Sequence, residues 1–320
     1  MSLPTLREIE AAAAIIRPWC PPTPQYAWPL LAARAGGEVW VKHENQTPIG
    51  AFKLRGGLYY LHRLRASGRR CKGLISATRG NHGQSLALAG RAFGVPVHIV
   101  VPHGNSVEKN AAMRALGANL LEIGDDYEDA RLGAEALAAE RGLEMVSSFN
   151  LTLVCGVATY ALEFFRHCPP LERVYVGIGL GSGASGLIAA RDALGLKTEI
   201  VGVVAEGAAC YALSLAAGAP VATAQALTIA DGLACRSPSP AALEILKTGL
   251  ARIVQVSEPQ IKAAMRAYYT DTHNLAEGAG AAALAALLLE RGTRPGGRVG
   301  VVLSGGNVDA AVFAEVLREA

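Results

Sequence analysis

The sequence predicts an α/β protein built as two open, mostly parallel α/β domains with helices on both sheet faces. Short apolar runs of strand length alternate with longer stretches of helical periodicity from residue 38 to residue 303. Several of those runs end in turns rich in Gly, Ser and Asn, where an open parallel sheet places its ligands. In addition, 51% of the 320 residues are hydrophobic, enough for a sizeable buried core.

Thr5-Leu6-Arg7-Glu8 reads as a capping box that opens an alanine-rich helix carrying Ile9, Ile15 and Ile16. Pro18 ends that helix, and Pro21, Pro22 and Pro24 lay an extended connection. Val39 and Val41 alternate with Glu38, Trp40 and Lys42, which is strand patterning. Asn45 to Gly50 supply a turn, after which Leu54, Leu58 and Leu61 recur at helical spacing. Strand 73–77, helix 84–93, strand 97–101, helix 107–116, strand 119–123 and helix 127–141 follow. An apolar helix near 156–166 precedes strand 173–178, a glycine-rich turn, helix 187–194 and strand 199–205. Helices over 210–217, 240–247, 258–270 and 279–291 come next. Strand 298–303 then leads through Ser304-Gly305-Gly306-Asn307 to a C-terminal helix. Composition shifts nowhere and no repeat or low-complexity linker interrupts the chain, so composition alone marks no domain boundary.

Net charge is +3 with Lys and Arg dispersed, which argues against nucleic acid as a partner. Six cysteines (Cys20, Cys71, Cys155, Cys168, Cys210 and Cys235) form no C-x-x-C pair, so neither a zinc site nor a disulfide framework is expected. The N-terminus lacks the build of a signal peptide, and no run stays apolar for the roughly 18 residues a membrane span needs. These features read as a cytoplasmic protein without a membrane partner.

Three turns carry chemistry. Lys53 falls at the start of its helix, where the dipole favours a neutral amine, which is both nucleophile and base. A helix lysine is ordinarily solvated, but here apolar Ala51 and Phe52 flank it and two further ligand-type turns accompany it. The second turn, Thr78-Arg79-Gly80-Asn81-His82, offers polar side chains and backbone N–H groups to a carboxylate, although Asn81 and His82 equally suit a capped turn. The third, Gly179-Leu180-Gly181-Ser182-Gly183, can form a nest of N–H groups for a phosphate. It also contains Gly181-x-Gly183-x-x-Gly186, with Glu206 20 residues beyond the last glycine, so a nicotinamide-dependent oxidoreductase is a rival reading. That rival leaves Lys53 and the second turn without a role. An anion-binding turn without catalysis, or a module that senses an amino acid, is a third reading.

Together the motifs resemble the fold-type II pyridoxal-phosphate enzymes (the tryptophan synthase β-like fold), in particular the serine/threonine dehydratase and serine racemase branch. The likeness covers essentially the whole chain, with the motifs in family order. Ala51-Phe52-Lys53-Leu54-Arg55-Gly56 is similar to the segment whose lysine carries pyridoxal 5'-phosphate as a Schiff base. Gly80-Asn81-His82-Gly83-Gln84 resembles the carboxylate-binding turn, whose asparagine also contacts the pyridoxal 3-oxygen. Gly179 to Gly183 stands where the family has its phosphate loop, and Ser304 where a serine hydrogen-bonds the pyridine nitrogen. Glu277, in Ala276-Glu277-Gly278-Ala279-Gly280, resembles a segment beside the cofactor in which Gly278 replaces a proline.

The resemblance implies β-elimination of L-threonine or L-serine to a 2-oxo acid and ammonia, with Lys53 as catalytic base and backbone donors of Thr78 to His82 on the substrate carboxylate. A neutral serine at the ring nitrogen favours elimination over transamination, since it does not keep that nitrogen protonated. The resemblance also implies a homodimer, a large cofactor-binding domain of residues 1–68 and 150–320, and a small substrate-side domain of residues 69–149. No stretch is left over for an appended regulatory module, so control by one is not expected.

Some residues depart from the family pattern. Arg79 replaces the serine that racemases use as a proton donor, and a guanidinium does not give up its proton near neutral pH, which disfavours racemisation. Arg79 suits a second anion, such as the side-chain carboxylate of 3-hydroxyaspartate, or else solvent or a nearby acid. Arg131 is a weaker candidate for substrate binding. Relatives with a divalent cation use a Glu followed by a second acid. Glu206 is followed by Gly207-Ala208-Ala209-Cys210, so no metal site is expected. Asp231-Gly232 reads as turn geometry.

Overall fold

The computed structural model describes residues 2–69, 71–292 and 297–319. Its first half contains α1 (Leu6–Ile16), β1 (Gln25–Ala27), α2 (Pro29–Ala35), β2 (Val39–His43), α3 (Lys53–Ala66), β3 (Leu74–Ala77), α4 (Asn81–Phe93) and β4 (Val97–Val101). Next come α5 (Val107–Ala115), β5 (Asn119–Glu122), α6 (Tyr127–Arg141), β6 (Glu144–Met145), α7 (Leu151–His167) and β7 (Arg173–Gly177). The rest comprises α8 (Ser182–Ala193), β8 (Glu199–Ala205), α9 (Cys210–Ala217), α10 (Pro240–Gly249) and β9 (Arg252–Val256). It closes with α11 (Glu258–Thr272), α12 (Gly278–Leu289), β10 (Val299–Leu303) and α13 (Ala310–Arg318).

The strands form two sheets, ordered β1-β2-β10-β7-β8-β9 and β5-β4-β3-β6. Every pairing is parallel except β1 with β2. The antiparallel β1 lies on an edge, where an approach through Pro21, Pro22 and Pro24 removes no ladder hydrogen bond. The smaller sheet takes all its strands from residues 74–145, between β2 and β7 of the larger one. The expected α/β class with two mostly parallel sheets is therefore present.

Several boundaries differ from the sequence expectation for identifiable reasons. Helix α4 begins at Asn81 rather than at 84, and α8 at Ser182 rather than at 187. In both, glycines that read as loop lie inside the helix because a neighbour comes too close for a side chain. A Cβ at Gly186 would sit 2.9 Å from Val157 Cγ1 of α7. Helix α7 begins at Leu151, five residues before Gly156, because Asn150 caps it by accepting from the Leu153 N–H at 2.8 Å. Short elements β1, α2, β6 and β9 are additions to the sequence reading. The capping box at Thr5 is present, with the Glu8 carboxylate accepting from the Thr5 N–H at 2.8 Å.

Helix α7 is the spine of the molecule, packed on α1, α3 and α8. At its crossing with α3 a Cβ on Gly156 would lie 2.4 Å from the Arg55 carbonyl oxygen. Helix α12 is almost entirely buried, its alanines and glycines letting it lie flat on β7 and β10. The largest departure concerns β2. Alternation predicts a solvated face for Lys42, yet Lys42, His43 and Glu44 are all fully buried. Arg55 of α3, also buried, donates from Nε to Glu44 at 2.7 Å and from Nη1 and Nη2 to Glu163 of α7 at 2.7 and 2.8 Å. Lys42 Nζ completes the group with bonds of 2.7 Å to Glu163 and to the Thr23 carbonyl. Burial pushes the Glu163 carboxyl up, but Arg55 and Lys42 together hold it below its ordinary value.

Arg55→Met leaves two carboxylates with only Lys42 to balance them, and is expected to lower unfolding stability by about 3–5 kcal/mol. Urea denaturation near neutral pH measures this, and a loss below about 1 kcal/mol would show that the cluster is solvated. Because the folded-state value of Glu163 is depressed, its contribution is complete above the unfolded-state value of about 4.3 and is lost as pH falls through the folded one.

Candidate active site

The three motif turns meet at the C-terminal ends of parallel strands. Between β2 and α3, Thr47 Oγ1 accepts from the Ala51 N–H at 2.9 Å and donates to the Ala51 carbonyl at 2.8 Å, closing the turn that leads into Lys53. The Phe52 N–H donates to the Ser304 carbonyl at 3.0 Å, so the end of β10 is tied to the start of α3. Ala51 also bridges Gly305.

Lys53 is the first residue of α3, as its spacing predicts. Its Nζ donates to Ser182 Oγ at 2.9 Å and to the Ser148 carbonyl at 3.3 Å, and it lies 5.3 Å from the Phe52 ring centroid. No carboxylate touches it among the described residues. Burial pulls its ammonium down to about 8. The sequence reading assigns that effect to the helix dipole; enclosure of the amine is the cause the structure supports.

The glycine turn after β7 is shaped by its neighbours. Gly181 takes φ 94°, in the left-handed region. A Cβ at Gly179 would meet the Gly232 carbonyl oxygen at 2.1 Å. Tyr211 donates to the Leu180 carbonyl at 3.0 Å and Tyr160 to the Gly183 carbonyl at 2.9 Å, so both carbonyls face away from a ligand. The first bond inside α8 runs from the Ser185 N–H to Gly181, leaving the N–H groups of Ser182, Gly183 and Ala184 as helix-start donors. Ser185 Oγ is buried and has no partner among the described residues.

After β3, Thr78 Oγ1 accepts from the Gly80 N–H at 3.1 Å, and α4 starts with its first bond from Gln84 to Gly80. The N–H groups of Asn81, His82 and Gly83 are thus free helix-start donors. His82 is buried with Nε2 unpartnered. Burial, with the nearby Lys53 charge, lowers the imidazole to about 3, so it is neutral near pH 7.

Asn81 and Glu277, remote in sequence, are joined by a 2.6 Å bond from Nδ2 to Oε1. Glu277 immediately precedes α12, makes no capping bond with its side chain, and is buried. Burial raises its carboxyl, and nearby Asp231 raises it further, while Lys109 opposes both. The Ser304 hydroxyl is nearly buried and makes no hydrogen bond among the described residues.

The structure therefore brings together Phe52, Lys53, Thr78, Gly80, Asn81, His82, Gly179, Leu180, Gly181, Ser182, Gly183, Glu277 and Ser304. Arg79 is half-buried, and its guanidinium has no acidic partner among the described residues. Arg131 is paired with Glu128 at 2.6 Å and with Glu135 on the outer face of α6, so it is a surface residue. Glu206 is exposed just after β8, and no group of acids, histidines or cysteines able to hold a metal occurs among the described residues. Sequence reasoning misses Ser148, Ser185 and Lys109, and it reads Asp231 only as a turn former. Lys109 donates to Asp231 at 2.5 Å and to Glu277 at 3.0 Å. The unpartnered Ser185 hydroxyl and His82 nitrogen fit an anionic, polar group seated between the turns. Gly186 serves helix packing against α7, so the dinucleotide spacing has a structural origin here.

Comparison with known proteins agrees with this geometry. An L-threonine ammonia-lyase of Thermotoga maritima is 31% identical over 291 residues, covering 91% of this chain and 72% of its own. An L-threo-3-hydroxyaspartate ammonia-lyase of a Pseudomonas species is 30% identical over 319 residues, covering 99% of this chain and 100% of its own. The structure of maize serine racemase superposes with a TM-score of 0.91 at 26% identity, covering 99% of this chain and 98% of that one. The family model described as pyridoxal-phosphate dependent enzyme matches residues 16–305, and the chain belongs to that family.

Proposed function

We propose that this chain is an ammonia-lyase that removes water from a small β-hydroxy amino acid, L-threonine or L-serine, and yields a 2-oxo acid and ammonia. The observation that carries the reading is the Lys53 amine, enclosed at the junction of the three turns and drawn toward neutrality without a carboxylate partner. The residues present fit pyridoxal phosphate. Lys53 offers an amine to its aldehyde, while the N–H groups of Gly179 to Gly183 with the Ser185 hydroxyl suit its phosphate. Phe52, Asn81 and Glu277 would border its ring, and the Ser304 hydroxyl would suit its nitrogen. When bound, the cofactor supplies an electron sink for charge developing at the substrate Cα.

This chain's own residues do the rest. The free N–H groups of Asn81, His82 and Gly83, with Thr78 and Gly80 shaping the turn, hold the substrate carboxylate and orient the Cα–H bond. The Lys53 amine takes the Cα proton, and the β-hydroxyl takes up a proton as it departs as water. A water then adds to the released enamine to give the 2-oxo acid and ammonia. Ser304, a neutral donor, would not keep the ring nitrogen charged, which would favour loss of the β-substituent over transamination. Residues 1–68 and 150–320 form the cofactor side and residues 69–149 the substrate side in this reading. It also includes a homodimer in the cytoplasm, for which the family resemblance is the support.

One observation favours a second substrate. Arg79, half-buried on the carboxylate-binding turn with no acidic partner among the described residues, suits a β-hydroxy amino acid with a second carboxylate, 3-hydroxyaspartate. The Pseudomonas relative is named for that substrate. Racemisation is disfavoured because Arg79 stands where a proton donor is needed.

Lys53→Ala is expected to lower 2-oxo acid formation by at least about 10²–10⁴-fold; retained turnover would remove Lys53 from the chemistry. In the cofactor-free chain, amine modification of Lys53 is expected to rise through a midpoint near pH 8, against roughly 10.4 for an ordinary lysine. Peptide mapping across a pH series reads this directly. A panel of L- and D-serine, threonine and 3-hydroxyaspartate tests the substrate. Arg79→Gln is expected to lower the ratio of hydroxyaspartate to threonine turnover by about tenfold or more, and an unchanged ratio would show that Arg79 does not read the side chain.

A further inference from the structure

A single row of hydrogen-bonded side chains crosses the site and joins residues from both sheets. Asn307 donates from Nδ2 to the Ile49 carbonyl and to Asn81 Oδ1, each at 2.8 Å. Asn81 donates from Nδ2 to Glu277 Oε1 at 2.6 Å. Glu277 Oε2 accepts from Lys109 Nζ at 3.0 Å, and Asp231 accepts from the same ammonium at 2.5 Å. Lys109 is 5% exposed and Glu277 2% exposed, so their bond is enclosed, while Asp231 at the end of the row is partly open to solvent. The stem of Lys109 lies across Gly80, where a Cβ would sit 2.4 Å from Lys109 Cδ.

The polarity of this row is fixed by its ends. A backbone carbonyl only accepts, so Asn307 turns its nitrogen inward. Asn81 must then offer its oxygen to Asn307 and its nitrogen to Glu277. A proton on Glu277 Oε1 would face that N–H, and a proton on Oε2 would face an ammonium. With Lys109 in place, each oxygen already accepts a hydrogen bond, and both bonds favour the charged form against the burial that raises the carboxyl. The charged groups facing Glu277 are Lys109 from α5 and Asp231 from the turn before α10, and the polar one is Asn81 from α4. Without Lys109, the buried Glu277 carboxyl would face the partly exposed Asp231 with no cation between them, and both burial and the like charge favour its protonated form.

We propose that Lys109 is a positioning residue for this site. By filling the space between Glu277 and Asp231 it keeps both Glu277 oxygens acceptors, which fixes the amide of Asn81 and straps the Thr78–His82 turn to the opposite sheet. The inference rests on the functional reading only in taking Asn81 to border the cofactor. Burial alone would discharge Lys109, but Glu277 and Asp231 hold its ammonium above its ordinary value, so it stays charged throughout the working range.

The test titrates cofactor-free wild-type chain and Lys109→Met with pyridoxal phosphate from pH 6 to pH 9, following the shift in absorbance and fluorescence. Methionine keeps a stem over Gly80 and removes the charge. The ratio of the variant's dissociation constant to the wild-type one is expected to be about tenfold to a hundredfold at pH 6 and to shrink as pH rises. At high pH Glu277 becomes a carboxylate without help. A ratio near one, or one that is the same at every pH, would overturn the proposal, since lost packing alone does not titrate. Asp231→Asn removes the second acid but leaves the Lys109–Glu277 pair, and its ratio is expected not to vary with pH; variation like that of Lys109→Met would also overturn it. If Lys109→Met does not fold by circular dichroism, Lys109→Gln is read by the same ratio. Wild-type chain that bound no pyridoxal phosphate would sink the functional reading, whereas normal binding with a flat ratio would sink this proposal alone.

Discussion

The buried grip of Arg55 on Glu44 and Glu163 is the constraint from which the rest of the site is hung. Arg55 lies two residues after Lys53 on the first turn of α3, and its partners are Glu44, just after β2, and Glu163, in the last third of α7. Its planar fork meets both carboxylates, a geometry a lysine could not reproduce. The net gain in stability from such a group is small, because desolvating four charges nearly offsets their attraction. What it contributes is position. With both carboxylates fixed, α3 has one rotation about its axis, and that rotation carries the Lys53 amine to Ser182.

Two lysines of the same site meet opposite fates, and the difference is charge balance rather than depth. Lys53 has hydroxyl, carbonyl and aromatic neighbours, so enclosure alone acts on it and its ammonium is weakened. Lys109 is no less buried, yet its two carboxylate neighbours hold the ammonium firmly. One amine is left reactive and the other is committed to structure. The sheets supply one each, Lys53 following β2 of the larger and Lys109 following β4 of the smaller.

The alternation of apolar runs made the parallel sheets legible, and Lys53, Asn81 and the glycine turn stand out because their local pattern is itself the signal. What stayed hidden depends on distant partners. Lys42 sits in an alternating strand, and nothing nearby in sequence announces that Glu163, 121 residues later, will bury it. Lys109 looks like any helix lysine until Glu277 and Asp231 are brought beside it. Gly186 reads as loop because its reason for being small, helix against helix, is a tertiary fact. Short elements such as β1 and α2 fall below the length at which periodicity speaks, although Pro29 at the start and Gly36 at the end of α2 mark its limits.

The contact between Gly179 and the Gly232 carbonyl has a mechanical consequence. Two loops with different duties, one cradling an anion and the other carrying the acid that steadies Lys109, share a wall with no slack for even a methyl group. In a close-packed interior such a wall transmits displacement instead of absorbing it. A side chain at position 179 would therefore press on the loop that carries Asp231 as well as on the anion cradle.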